Sequence, residues 1–238
     1  MTESTMKYRV KVVYDEDSVN PRDDSDCWVG TLLTWHRKYD WSDECDERSS
    51  DPFDTMIRLV QKRDRFFNAD DEKWDCFVGD ALRHEVQRLM EKYYVTVPVF
   101  MYEHSGVSLS TAPFSCIWDS GQIGFIFADK LDRMLENTAT EWTDDLQKKT
   151  IGLLESEINI LDQYVSGQVY GFICEETEEE EPDERDWDYS AECYGFYGDD
   201  PKSNGMEGHL PDFLMATLIE AADDIGNWKY FTHKATND

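Results

Sequence analysis

Residues Val95–Phe127 read VTVPVFMYEHSGVSLSTAPFSCIWDSGQIGFIF, and this stretch decides the fold class. Val95 to Tyr102 is β-branched and aromatic, Val107 to Thr111 alternates apolar with hydroxyl residues, and Gln122 to Phe127 is apolar again. Runs of this kind, bounded by Gly, Ser and Pro, are strand signals. They predict a β-hairpin feeding a third strand. The polar groups of His104-Ser105-Gly106 and of Pro113 to Gly121 then fall at the turns.

Further strands are predicted on either side, at Tyr8–Tyr14 (YRVKVVY), Trp28–His36, Gln168–Cys174 and Ala191–Tyr197, with an edge strand over Trp228–Phe231. Gln168–Cys174 and Ala191–Tyr197 share Tyr-Gly-Phe and are read as partners. Helical spacing appears from an Asp54 cap to about Phe67, with Ile57 and Val60 inward, and from Cys76 to Tyr94, with Val78, Leu82, Val86, Leu89 and Tyr93 on one stripe. Asp129–Leu135 is a short helix. Glu141–Val165 is a long one that carries Leu146, Thr150, Leu154, Ile158, Leu161 and Val165 on one face and stops at Gly167. Pro211 opens a last helix with Leu214, Leu218 and Ala221 inward. The helices sit between hairpin-connected strands instead of alternating with them, so the expected fold is α+β: a mostly antiparallel sheet with four or five helices and an acidic surface. One domain is expected over 1–238, with acidic loops near 15–27, 41–54 and 175–188.

The chain has 52 acidic and 23 basic residues, a net charge of −29. Phosphate contact needs Lys and Arg, so this balance argues against non-specific nucleic-acid binding and against adsorption to an anionic membrane. An apolar fraction of 40% with 13% aromatics is enough to build a core. Ten acids and a single arginine fall between Glu175 and Asp188, which predicts a self-repelling, mobile hairpin loop extended into solvent. The six cysteines include no C-x-x-C pair. With no signal peptide and no long apolar run, reduced thiols in a cytoplasm are expected.

Three sets of segments carry a resemblance. They are Asn20-Pro21-Arg22-Asp23-Asp24; Gly30-Thr31-Leu32 with Trp35 to Tyr39; and His104-Ser105-Gly106 through Pro113-Phe114-Ser115-Cys116-Ile117-Trp118-Asp119-Ser120-Gly121-Gln122-Ile123-Gly124. Together with Asp162-Gln163-Tyr164, Gly167 to Phe172, Gly195 to Asp200 and Asn204-Gly205-Met206, they resemble a family of bacteriophage proteins without an assigned activity. Ile117 stands where the family pattern has proline, and the Asp43 to Asp71 region is expanded. The resemblance implies a phage origin and a cytoplasmic setting in an infected bacterium, and implies no chemistry.

Charge and resemblance together lead to an expected non-enzymatic protein that acts by protein–protein contact. It would inhibit a basic, nucleic-acid-binding host defence enzyme of the restriction or CRISPR kind by mimicking DNA. The binding residues expected are Glu178, Glu179, Glu180, Glu181, Asp183, Glu184, Asp186 and Asp188, with Asp23 and Asp24. No cofactor, no metal, no direct nucleic acid and no membrane are expected, and the oligomeric state is left open. The alternative is a hydrolase-like site built from His36, His104, Cys116 and Asp119, with Ser105, Ser110, Ser115 and Ser120 close in sequence. A metal set of His36, Asp40, His104 and Asp119 is a variant of it. Against the alternative, no Gly-x-Ser-x-Gly elbow or protease cysteine signature surrounds Cys116, which beside Ile117 and Trp118 reads as a buried thiol.

Overall fold

The computed structural model describes residues 5–23, 28–71 and 81–234. Its strands are β1 (Thr5–Tyr14), β2 (Thr31–Thr34), β3 (Tyr94–Glu103), β4 (Val107–Ser110), β5 (Ser120–Asp129), β6 (Val169–Thr177), β7 (Asp188–Tyr197) and β8 (Lys229–Lys234). Its α-helices are α1 (Pro52–Arg63), α2 (Ala81–Tyr93), α3 (Lys130–Glu136), α4 (Asp144–Val165) and α5 (Met215–Ala222). All strand pairs are antiparallel, so the α+β class expected from the sequence is the observed one. The strands form two four-stranded sheets. Contacts group the chain into two compact units, Met1–Asp23 with Gln163–Asp238 and Asp24–Asp162.

In the unit Asp24–Asp162 the sheet order is β2-β5-β3-β4. The predicted hairpin and third strand are its centre: β3 pairs with β4 through Phe100–Ser110 and with β5 through Val97–Ile126. Ile123 to Ala128 is buried without a break because both faces of β5 are covered. Phe125 and Phe127 join Leu33, Leu59, Val60, Val86 and Leu89 in one core. Across the sheet, Gly30 lies against Leu154 of α4 and Ile126. The buried Glu157 carboxylate accepts the N–H groups of Val29 and Gly30 and so fixes the entry to β2.

Three local expectations change. The cap of α1 is Asp51, whose carboxylate accepts from the N–H groups of Phe53 and Asp54, because Pro52 takes the first helical position; Asp54 lies in the first turn. Helix α1 stops at Arg63, short of Phe67. Strand β2 is only Thr31–Thr34, since the Leu32 N–H donates to the Asp43 carboxylate and the Leu32 carbonyl accepts from the Asp43 N–H, closing that edge. The expected helix start at Cys76 and Val78 lies outside the described residues.

In the unit Met1–Asp23 with Gln163–Asp238 the order is β7-β6-β1-β8. Strand β1 pairs on one side with β6, Val10 opposite Cys174, and on the other with β8, Val10 opposite Lys229. The two Tyr-Gly-Phe strands are neighbours, as expected, with Tyr170 opposite Phe196. One sheet face buries Val10, Val12, Phe172, Cys174 and Phe196 against Met206, Leu210, Leu214, Leu218 and Ala221. Burial pushes the Cys174 thiol up to about 11, as expected of a core cysteine. Pro211 precedes a 3-10 turn, Asp212–Leu214, and the α-helix proper begins only at Met215. Among the described residues no helix is long and apolar enough to cross a membrane.

Candidate functional site

The acidic run lies on the β6–β7 hairpin, in the unit Met1–Asp23 with Gln163–Asp238. Glu178, Glu179, Glu180, Glu181, Asp183, Glu184, Asp186 and Asp188 are all exposed. The hairpin does not extend freely, contrary to the expectation from like-charge repulsion. The β1–β6 register sets Arg9 opposite Glu175. The Arg9 side chain, only 5% exposed, contacts the Glu175 carboxylate at 2.5 Å and the Glu184 carboxylate at 3.1 Å. Its guanidinium lies 4.7 Å from the centre of the Trp187 ring and 4.3 Å from that of Trp228, an indole on each contact being the favoured partner for a cation. Lys7 Nζ donates to the Glu180 carbonyl. Within the loop, the Asp183 N–H donates to the Asp186 carboxylate at 2.6 Å, and at its base Ser190 Oγ of β7 donates to Glu176 of β6 at 3.2 Å.

Attachment at Arg9 leaves other acids unspent. Among the described residues, the carboxylates of Glu178, Glu179, Glu181 and Asp188 have no cation partner. The arrangement is a braced loop that presents exposed negative charge. Such a loop can attract a cationic group.

The other acidic loops differ. Asp23 accepts from Asn20 Nδ2 at 2.8 Å within a local turn, and Asp24 lies outside the described residues. In 41–54 three acids serve structure: Asp43 closes β2, Asp51 caps α1, and Glu47 pairs with Lys62 at 2.8 Å. Partial burial opposes ionisation of Asp40, but hydrogen bonds from the Ser42 hydroxyl and N–H and from Arg48 outweigh it and hold the carboxyl below its ordinary 3.8. A carboxyl with a depressed folded pKa contributes stability that is complete above its unfolded value and is lost as pH falls through the folded one. Acid titration of unfolding free energy should therefore show Asp40→Asn costing stability at neutral pH, with wild type and variant converging below pH 3.8.

The alternative residues lie in the other unit, Asp24–Asp162, and are only partly brought together. Asp119 Oδ2 accepts from the Cys116 thiol at 3.4 Å and stands 3.8 Å from His104 Nδ1. Both side chains meet one carboxylate, and no hydrogen bond joins thiol to imidazole. In the usual activated cysteine an imidazole or a cation stands at the sulfur, and here the group at the sulfur is the Asp119 carboxylate. Cys116 is also not a core thiol as expected: it is half-buried, while Ile117 and Trp118 beside it are exposed. His36 stacks on Tyr39 at 5.4 Å, and Tyr39 on Trp41 at 5.1 Å. Asp40 is engaged by Arg48 at 3.0 Å. Among the described residues no three His, Cys, Asp or Glu side chains are grouped to hold a metal ion.

Reasoning from sequence missed Arg9, Trp187, Trp228 and the exposure of Trp118. The period-two run Lys7, Arg9, Lys11 held the signal for the first, since alternate strand residues share a face and three cations on one face call for anions. No family model matches the chain, and no curated protein or solved structure is similar to it.

Proposed function

We propose that this chain works by protein–protein contact, its fixed, exposed carboxylates binding a basic partner where that partner would otherwise hold nucleic acid. The observation that carries this reading is the β6–β7 hairpin, with eight exposed acids on a loop anchored by Arg9, in a chain of net charge −29. Anchoring matters energetically because a loop ordered beforehand loses less conformational freedom on binding. The whole-chain charge adds long-range attraction to a positive surface and raises the encounter rate. The resemblance to phage proteins adds the setting: an inhibitor of a host defence enzyme, of the anti-restriction or anti-CRISPR type, in the cytoplasm of an infected bacterium.

Charge neutralisation of the hairpin tests the reading. Glu178, Glu179, Glu180 and Glu181 are changed to Gln, and Asp183, Asp186 and Asp188 to Asn; Glu175 and Glu184 stay to keep the Arg9 contact. The tagged wild type should capture a nucleic-acid-binding protein from nuclease-treated bacterial lysate at low salt, and the neutralised variant should retain under a tenth as much. Equal capture by the two would refute the reading.

A further inference from the structure

The fifteen residues from His104 to Trp118 contain no Asp, Glu, Lys or Arg, in a chain of which 32% is charged. They are not core. His104, Ser105, Ala112, Pro113 and Ser115 are exposed, and Ile117 and Trp118 are 77% and 90% exposed. The segment behind them is braced. The Glu103 N–H donates to the Asp119 carbonyl at 2.8 Å, Ser120 Oγ to the Cys116 carbonyl at 2.5 Å, and the Phe114 ring lies 5.7 Å from that of Tyr102. An isoleucine and a tryptophan thus stand in water on a held turn at the end of the β3–β4–β5 sheet.

Exposed large apolar pairs are uncommon on a strongly charged surface, and depletion of charge around aromatic side chains is the composition of an interface core. Tryptophan is also the residue most enriched among the few that dominate binding energy. We propose that Ile117 and Trp118 are an apolar anchor that inserts into a hydrophobic pocket, rimmed with positive charge, on another protein. Two arguments exclude a second copy of this chain as the occupant. Each copy carries −29, so two copies repel one another at long range. The pair offers on the order of 300 Å² per copy, and two such faces fall well short of the ~1,200 Å² at which stable interfaces begin. A pocket instead encloses the indole on all sides, and a basic rim complements the chain's net charge of −29.

This anchor does not rest on the hairpin reading, and salt separates the two. Carboxylate contacts are screened at high ionic strength, whereas burial of apolar surface is not weakened by it. The test immobilises wild type, Trp118→Ala, Ile117→Ser and the charge-neutralised hairpin variant, and exposes each to nuclease-treated bacterial lysate at about 0.1 M and about 1 M NaCl. Sedimentation of each purified protein alone reports self-association, and thermal unfolding confirms that the exposed-site variants remain folded. At the higher salt one protein should stay on both wild type and the hairpin variant and fall at least tenfold on Trp118→Ala and Ile117→Ser. With that protein purified, Trp118→Ala should raise Kd by the same factor. Equal retention on all four, no retention on wild type at the higher salt, or a wild-type dimer that Trp118→Ala dissolves would each overturn the proposal. Loss confined to the hairpin variant at low salt would support the hairpin reading and overturn this one.

Discussion

Gly124→Ala should cost the unit Asp24–Asp162 about 3–5 kcal/mol, as much as the whole stability of a marginal domain. Gly124 sits in β5 opposite both Thr34 of β2 and Val99 of β3. A Cβ there would come within 2.0 Å of the Leu33 carbonyl oxygen and 2.9 Å of Thr34 Cα. These are backbone atoms and cannot rotate aside, so β2 must move. Leu32 and Leu33, both fully buried, move with it, and loosening a buried leucine adds to the ~1–3 kcal/mol of simple overpacking. Denaturant unfolding measures the loss. Gly121→Ala is the control on the same strand: nothing lies within 4 Å of its added Cβ, and its cost should stay below about 1 kcal/mol. Equal effects at the two positions would mean that the close approach of β2 is not what requires Gly124.

The second large effect belongs to Arg9. Arg9→Met keeps an apolar stem between the indoles of Trp187 and Trp228 but removes the cation, leaving the Glu175 carboxylate, 22% exposed, without its partner. Removing one member of a largely buried pair costs about 3–5 kcal/mol when burial is complete, and partial exposure of Glu175 brings the expected loss to about 2–3 kcal/mol. Glu184 adds little, because its side chain is 80% exposed and well screened. Indole fluorescence should change, and amide exchange over the 178–187 loop should quicken. Adding Glu175→Gln to Arg9→Met should restore part of the loss, since it removes the stranded charge. A double variant no more stable than the single one would place the Arg9 contribution in its ring contacts alone.

What was legible in the sequence followed local periodicity. The hairpin and third strand of 95–127 were readable because alternation and β-branching are local signals, and the buried stripe of α4 was readable from its spacing. Sheet membership was not. Strand β1 is followed in sequence by β2 yet pairs with β6 and β8, more than 150 residues away, and nothing near Thr5–Tyr14 encodes that choice. This is why one sheet was expected and two are found. Gly124 appeared only as part of a motif, because the approach of the Leu33 carbonyl exists only once β2 and β5 pair.

The site was legible in its charges and less so in its contacts. The exposed acids of 178–188 stand on a hairpin as expected, while in 41–54 Asp43, Asp51 and Glu47 are taken up by a strand edge, a helix cap and an ion pair. Composition alone does not separate the two cases; Asp51 before Pro52 was the one local sign. Ile117 and Trp118 read as neighbours that would bury Cys116, because apolar residues in a loop carry no period to say which way they face.

The most direct test of electrostatic mimicry is the salt dependence of binding to the captured partner, once purified, with its nucleic acid as competitor. Kd for this protein should rise at least tenfold between about 0.05 M and about 0.3 M NaCl, and saturating nucleic acid should displace it completely. A Kd that does not move with salt, or a ternary complex holding nucleic acid and this protein together, would contradict the account.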